Sequence, residues 1–121
     1  MSVVTIRSDS LYDAASNSSP VVKFAVIDAA TLGDNEIVAA VPGKRIRVLS
    51  VVLVAAGTVT ARFESGAGGT ALTGQMVLAT SSVVTLPYSP HGLFQTAAGQ
   101  ALNLELSDAV SVDGCLSYIE V

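Results

Sequence analysis

The fold is decided by residues 44–65, which read KRIRVLSVVLVAAGTVTARFES. In the second half of this stretch, Thr58–Ser65, Val59, Ala61 and Phe63 alternate with polar side chains. A period of two is typical of a half-buried antiparallel β-strand, with one face towards a core and one towards solvent. The stretch therefore predicts at least one antiparallel strand, joined by a glycine turn to a longer strand before it.

The longer strand, Lys44–Ala56, is predicted to be apolar on both faces beyond its first third. One face consists of Ile46, Val48, Ser50, Val52 and Val54. The opposite face continues from two arginines into Leu49, Val51 and Leu53. A strand of a two-layer antiparallel sandwich needs only one apolar face, so the second is covered by another segment of the chain or by another subunit. The low charge content favours a subunit, and we predict a subunit interface at Leu49, Val51 and Leu53.

On both sides of this stretch, the rest of the chain also consists of short β-prone segments separated by turn residues. Seven to nine short strands are predicted from residue 20 to residue 121, with turn residues every eight to twelve positions and no convincing helix. This spacing predicts an all-β fold, either a sandwich or a closed barrel, and of these we expect an antiparallel β-sandwich for residues 20–121. Residues 1–19 are polar and weakly patterned, and we expect them to form an extended N-terminal arm.

Composition excludes several classes of partner. Half of the 121 residues are hydrophobic, but only 13% are charged, against about 25% in an ordinary domain. The excess of apolar residues suggests strand faces that a partner covers. A net charge of −4 with six scattered basic residues argues against nucleic acid. The most apolar stretch is shorter than the ~20 residues of a membrane-spanning helix, so no membrane partner is expected.

No motif predicts catalysis, a metal or a cofactor. His91 is the only histidine and Cys115 the only cysteine, which excludes a histidine cluster or an intrachain disulfide. The segment Asp34-Asn35-Glu36 lacks the spaced ligands of a calcium loop and is predicted to be a turn. The glycine-rich loop 66–74 lacks the third glycine of a dinucleotide fingerprint. We therefore expect a protein that is not an enzyme and has no cofactor.

Three stretches resemble small β-rich structural proteins of tailed bacteriophages and prophages. They are IVAAVPGKRIRVLS at residues 37–50, ESGAGGTALTG at 64–74 and AAGQALNLELS at 97–107. The most similar functional class is the capsid decoration, or cement, proteins. This resemblance implies a jelly-roll-like sandwich, a homotrimer, and attachment to the major capsid protein on the outer surface of the virion after synthesis in the host cytoplasm.

The arm carries two neighbouring apolar residues, Leu11 and Tyr12, in a polar context. We predict that Leu11 and Tyr12 anchor the arm to the capsid. The alternative is that they have no binding role, as is often the case for isolated apolar residues in a polar arm. Two other functions stay open at this stage. A module that binds host glycans or receptors on a fibre or baseplate would use exposed aromatics, with Tyr12, Tyr88 and Phe94 as candidates. A small hydrolase would need two carboxylates that converge in a cleft.

Overall fold

A computed structural model describes residues 20–121, and the predicted arm, with Leu11 and Tyr12, lies outside the described residues. No helix occurs in the described part, which consists of strands and turns. The ten strands are β1 (Lys23–Ala29), β2 (Gly33–Val38), β3 (Ile46–Ala55), β4 (Val59–Ser65), β5 (Thr70–Ala71), β6 (Met76–Leu78), β7 (Val83–Leu86), β8 (Phe94–Gln95), β9 (Leu102–Leu106) and β10 (Val112–Glu120).

The strands form two antiparallel sheets that pack face to face. The first sheet has the order β1-β10-β3-β7, with β8 also paired to β3. The second has the order β2-β9-β4-β5, with β6 also paired to β4. The pairs are nested: β1 with β10, β2 with β9, β3 with β7 and β8, and β4 with β5 and β6. A chain folded back on itself once and then wound across two sheets is a jelly roll, which confirms the predicted fold class.

The core lies between the sheets and is built by the alternation that the sequence shows. On β4, Val59, Ala61 and Phe63 are buried as predicted. On the neighbouring strand β9, Leu102 and Leu104 are also buried, and Leu104 pairs with Phe63. The ring of Phe63 meets the ring of Phe94 edge to face, with centroids 5.0 Å apart, so this aromatic pair connects the second sheet to the first.

The side chains chosen as a subunit interface are buried by the chain itself, and that choice requires correction. Leu49, Val51 and Leu53 are 0%, 2% and 1% exposed. The reason is a β-bulge: Ser117 of β10 pairs with Ser50, and Tyr118 pairs with Val48, which leaves Leu49 as an extra residue on β3. An extra residue reverses the alternation along a strand.

The outward-facing apolar side chains of β3 are therefore Val52 and Val54, which are 41% and 40% exposed. The sequence alternation places Val52 and Val54 on one face of the strand and Leu49, Val51 and Leu53 on the other, and the structure agrees with this division. The prediction that Leu49, Val51 and Leu53 point outward is wrong, because the two valines do. Any subunit contact on this strand has to use the two valines.

Candidate functional site

The outer face of the first sheet carries a row of exposed apolar side chains. Across four strands, Val26, Cys115, Val52 and Thr85 lie side by side in register. Phe24 occupies the preceding outward position of β1 and is 80% exposed. The apolar face, as we call it, consists of Phe24, Val26, Val52, Val54, Val83, Tyr88 and Cys115. An exposed apolar area that is continuous over neighbouring strands marks an interaction site more often than scattered residues do.

An open groove of about 590 Å³ crosses this face. Its lining contains no charged side chain among the described residues, and includes Phe24, Val52 and Tyr88. Its floor carries Ser50 and Ser117, whose hydroxyl groups hydrogen-bond to each other at 2.5 Å. Most of the other lining side chains are apolar, so the groove offers mainly apolar surface to a ligand.

The outer face of the second sheet has the opposite character, because it brings three carboxylates together. Carboxylate oxygens of Asp34 on β2, Glu64 on β4 and Glu105 on β9 all lie within 4.8 Å of one another. The register places Asp34 and Arg62 on either side of Glu105, and Glu64 lies two residues beyond Arg62 on β4, where it pairs with Asn103. We call Asp34, Glu64 and Glu105 the carboxylate cluster.

The positive charge of Arg62 partly compensates the negative charge of the carboxylate cluster. Its Nη2 and Nε atoms donate to Oε2 of Glu64 at 2.7 and 3.0 Å, and its Nε lies 3.6 Å from Oε1 of Glu105. Glu64 itself is 0% exposed, and its second oxygen, Oε1, has no hydrogen-bond partner in the described part of the chain. A buried oxygen without a donor is costly, so the environment favours either a proton or a cation there.

The pKa of the Glu64 carboxyl is raised from 4.5 to about 7. The largest cause is burial, which penalises the charged form; the neighbouring carboxyls of Asp34 and Glu105 add to it, and Arg62 acts in the opposite direction. Between these two pH values the folded protein keeps a proton that the unfolded chain releases. Rising pH therefore favours unfolding over this range.

We expect the free energy of unfolding to fall by about 2–3 kcal/mol between pH 5 and pH 8 on account of Glu64. The measurement is urea denaturation at several pH values in a buffer that contains a chelator. Stability should be highest below pH 4.5 as far as this group is concerned, and its contribution should be lost as the pH passes 7. The control is Glu64→Gln, which removes the ionisable group, and its pH slope should be flatter than that of the wild type. Equal slopes in the two proteins would show that Glu64 has an ordinary pKa.

The groove and the carboxylate cluster lie on different sheets. The groove is on the outer face of the first sheet, whereas all three carboxylates belong to strands of the second. The convergent carboxylates of the hydrolase hypothesis are thus present, but Glu64 is 0% exposed and no carboxylate lines the groove. A substrate bound in the groove would contact none of them.

The other residues singled out by sequence are dispersed. His91 is exposed in the turn before Gly92, and Cys115 is a free, exposed thiol on the apolar face. Sequence reasoning missed the carboxylate cluster because its members share no motif and meet only through strand pairing. The segment Asp34-Asn35-Glu36 stands out in the sequence as acidic, but nothing in its spacing indicates that Glu64 and Glu105 lie beside Asp34.

Comparison with known proteins adds no relative. No protein-family model matches the chain, and no curated protein matches it. Within residues 20–121, no helix is long and apolar enough to cross a membrane.

Proposed function

We propose that this chain is a virion structural protein, a capsid decoration protein that binds the outside of a phage head. It associates with itself through the apolar face and stabilises the assembled shell. The observation that carries the proposal is the apolar face, where seven side chains are left exposed on one sheet although the chain has a complete core of its own. The resemblance of three stretches to phage structural proteins supports the choice of partner.

A second copy of the chain is the occupant that suits the apolar face. Copies that meet around a symmetry axis bring identical surfaces close together. The centre of the face consists of Cys115 and Val52 on the two central strands, with Val26 beside them on the edge strand β1. None of these side chains is charged, so identical copies meet there without like-charge repulsion. The acidic pair Asp28 and Asp113 lies one row further along the sheet, which favours a contact centred on Val26 and Val52. A threefold arrangement follows from the resemblance to decoration proteins.

Stabilisation of the head follows from mass action. A ligand that binds the assembled shell and not its dissociated subunits shifts the equilibrium towards the shell. A trimer presents three attachment points at once, which raises its apparent affinity for a symmetric lattice. The candidate anchors Leu11 and Tyr12 would then contact the major capsid protein.

The alternative of a host-glycan module has less support. Of its candidate aromatics, Tyr88 is half exposed beside the groove, Phe94 packs against Phe63, and Tyr12 lies outside the described residues. Sugar recognition also needs polar groups aimed at hydroxyls, and the groove is lined mainly by apolar side chains. Protein docking accounts for an apolar groove more directly.

We expect Val52→Lys to weaken self-association by on the order of 100-fold, because a charge buried in an apolar contact has no partner. The native mass of the full chain, measured by light scattering at micromolar concentration, should fall from trimer to monomer. Val77→Lys is the matched control, since Val77 is 81% exposed on β6 of the second sheet. It should leave the mass unchanged.

The same proteins then test attachment to the shell. Expanded heads of the phage that encodes the chain, stripped of accessory proteins, are mixed with each variant, sedimented and heated. Wild type and Val77→Lys should sediment with the heads and raise the temperature at which they release DNA. Val52→Lys should bind weakly. A wild type that is monomeric would refute self-association, and one that leaves the heads unbound would refute the decoration function.

A further inference from the structure

We propose that Asp34, Glu64 and Glu105 form a binding site for one calcium ion, which fastens strands β2, β4 and β9 together on the outer face of the second sheet. The site is independent of the docking function proposed for the first sheet.

The geometry suits a single ion. Calcium binds carboxylate oxygens at about 2.3–2.6 Å, so two oxygens on opposite sides of one ion lie about 5 Å apart. The three carboxylates offer oxygens that are all within 4.8 Å of one another. Each carboxylate comes from a different strand of one rigid sheet, which fixes the spacing before an ion binds.

The unpartnered oxygen of Glu64 points to a missing ligand. Glu64 is fully buried, its Oε2 is held by Arg62, and its Oε1 is the buried side-chain atom without a partner among residues 20–121. Besides Arg62, the side chains within hydrogen-bonding reach of the Glu64 carboxyl are Asp34 and Glu105, and carboxylates only accept hydrogen bonds when ionised. A cation in their midst would satisfy all three.

The charge of the cluster matches a divalent ion. Three ionised carboxylates beside the single guanidinium of Arg62 leave two negative charges uncompensated. Asp34 is exposed and Glu105 is partly exposed, so the ion has a path from solvent. Buried Glu64 then forms the inner wall of the site.

The loop after β4 helps to hold Asp34 in place. The backbone N–H of Gly68 donates to Oδ2 of Asp34 at 2.6 Å, and Gly68 has a left-handed φ of 61°. Oδ1 of Asp34 is the oxygen that this bond does not engage. Calcium tolerates irregular coordination of this kind and completes its shell with water, whereas magnesium demands a near-ideal octahedron. The site should therefore prefer calcium.

The test is calorimetric titration of the full chain with CaCl₂ at pH 8, after removal of metal ions with a chelator, together with the shift of the melting temperature. We expect one ion per chain with a Kd on the order of 10⁻⁴ M, a higher melting temperature, and weaker binding of MgCl₂. Asp34→Asn and Glu105→Gln should each weaken calcium binding by about tenfold or more. Both residues lie at the surface, so these variants should fold.

Asp113→Asn is the matched control, because Asp113 is an exposed acid of the first sheet and its loss should leave binding unchanged. Wild-type protein that shows neither heat nor a thermal shift at 10⁻² M calcium would overturn the proposal, and Oε1 of Glu64 would then be satisfied by a proton. Binding that survives both Asp34→Asn and Glu105→Gln would also overturn it, since the ion would sit elsewhere.

Discussion

The Phe63→Ala variant is expected to lose about 4 kcal/mol of its free energy of unfolding. Phe63 is 0% exposed and is the largest fully buried side chain of the described residues. Its ring meets Phe94 edge to face across the two sheets, so truncation removes apolar burial and an aromatic contact and leaves a cavity. Urea denaturation monitored by circular dichroism measures the loss.

Phe24→Ala is the matched control for this prediction. Phe24 is 80% exposed on the apolar face, so its removal should change the stability of the monomer by less than about 0.5 kcal/mol. Comparing the two variants at concentrations where the protein is monomeric separates core packing from self-association. A loss below about 1 kcal/mol for Phe63→Ala would mean that the sheets are joined mainly elsewhere.

The sandwich could be predicted from sequence because the alternation of β4 and β9 is regular. Val59, Ala61 and Phe63 on β4, and Leu102 and Leu104 on β9, are all buried, as the period of two requires. The nested strand order could not be predicted from periodicity. Periodicity indicates which face of a strand is buried, but it does not indicate which strands pair with it. The jelly roll was expected only through resemblance.

The β3 strand shows where alternation fails. The extra residue of the bulge is Leu49, and residues 44–56 contain no glycine that would mark it. A leucine at the extra position gives no signal in the sequence, because it is buried like its neighbours. The orientation of every residue beyond it depends on that one insertion. The outward face was therefore assigned to the wrong side chains.

The carboxylate cluster could not be predicted for a different reason. Its three members belong to strands that are far apart in sequence and are neighbours only through the order β2-β9-β4. On a regular strand, Glu64 and Glu105 both look like ordinary solvent-facing residues. Nothing in the local pattern indicates that Glu64 is fully buried or that its Oε1 lacks a partner.

The two faces of the sandwich differ in character. The first sheet exposes apolar side chains, and the second carries the carboxylate cluster. Both depend on how closely the central strands approach one another. In the first sheet that approach is set by Gly114 on β10, which pairs with Leu53 of β3 and Ile27 of β1.

Gly114→Ala is expected to cost at least about 3 kcal/mol, at the upper end of what overpacking costs. A methyl group at Gly114 would lie 1.9 Å from the carbonyl oxygen of Val52 and 2.7 Å from the Cα of Leu53. Both are backbone atoms, so no side chain can rotate away and strands β3 and β10 would have to separate. The neighbouring carbonyl belongs to Val52, so the apolar face should be disturbed along with the fold.

Gly74→Ala provides the comparison, because a methyl group at Gly74 meets nothing within 4 Å and Gly74 has no left-handed φ. That variant should be as stable as the wild type or more stable by up to about 1 kcal/mol, through a less flexible unfolded chain. Urea denaturation of both variants, with native mass at matched concentration, measures stability and association together. If Gly114→Ala unfolds at the same urea concentration as Gly74→Ala, strands β3 and β10 lie further apart at this point than the structure places them.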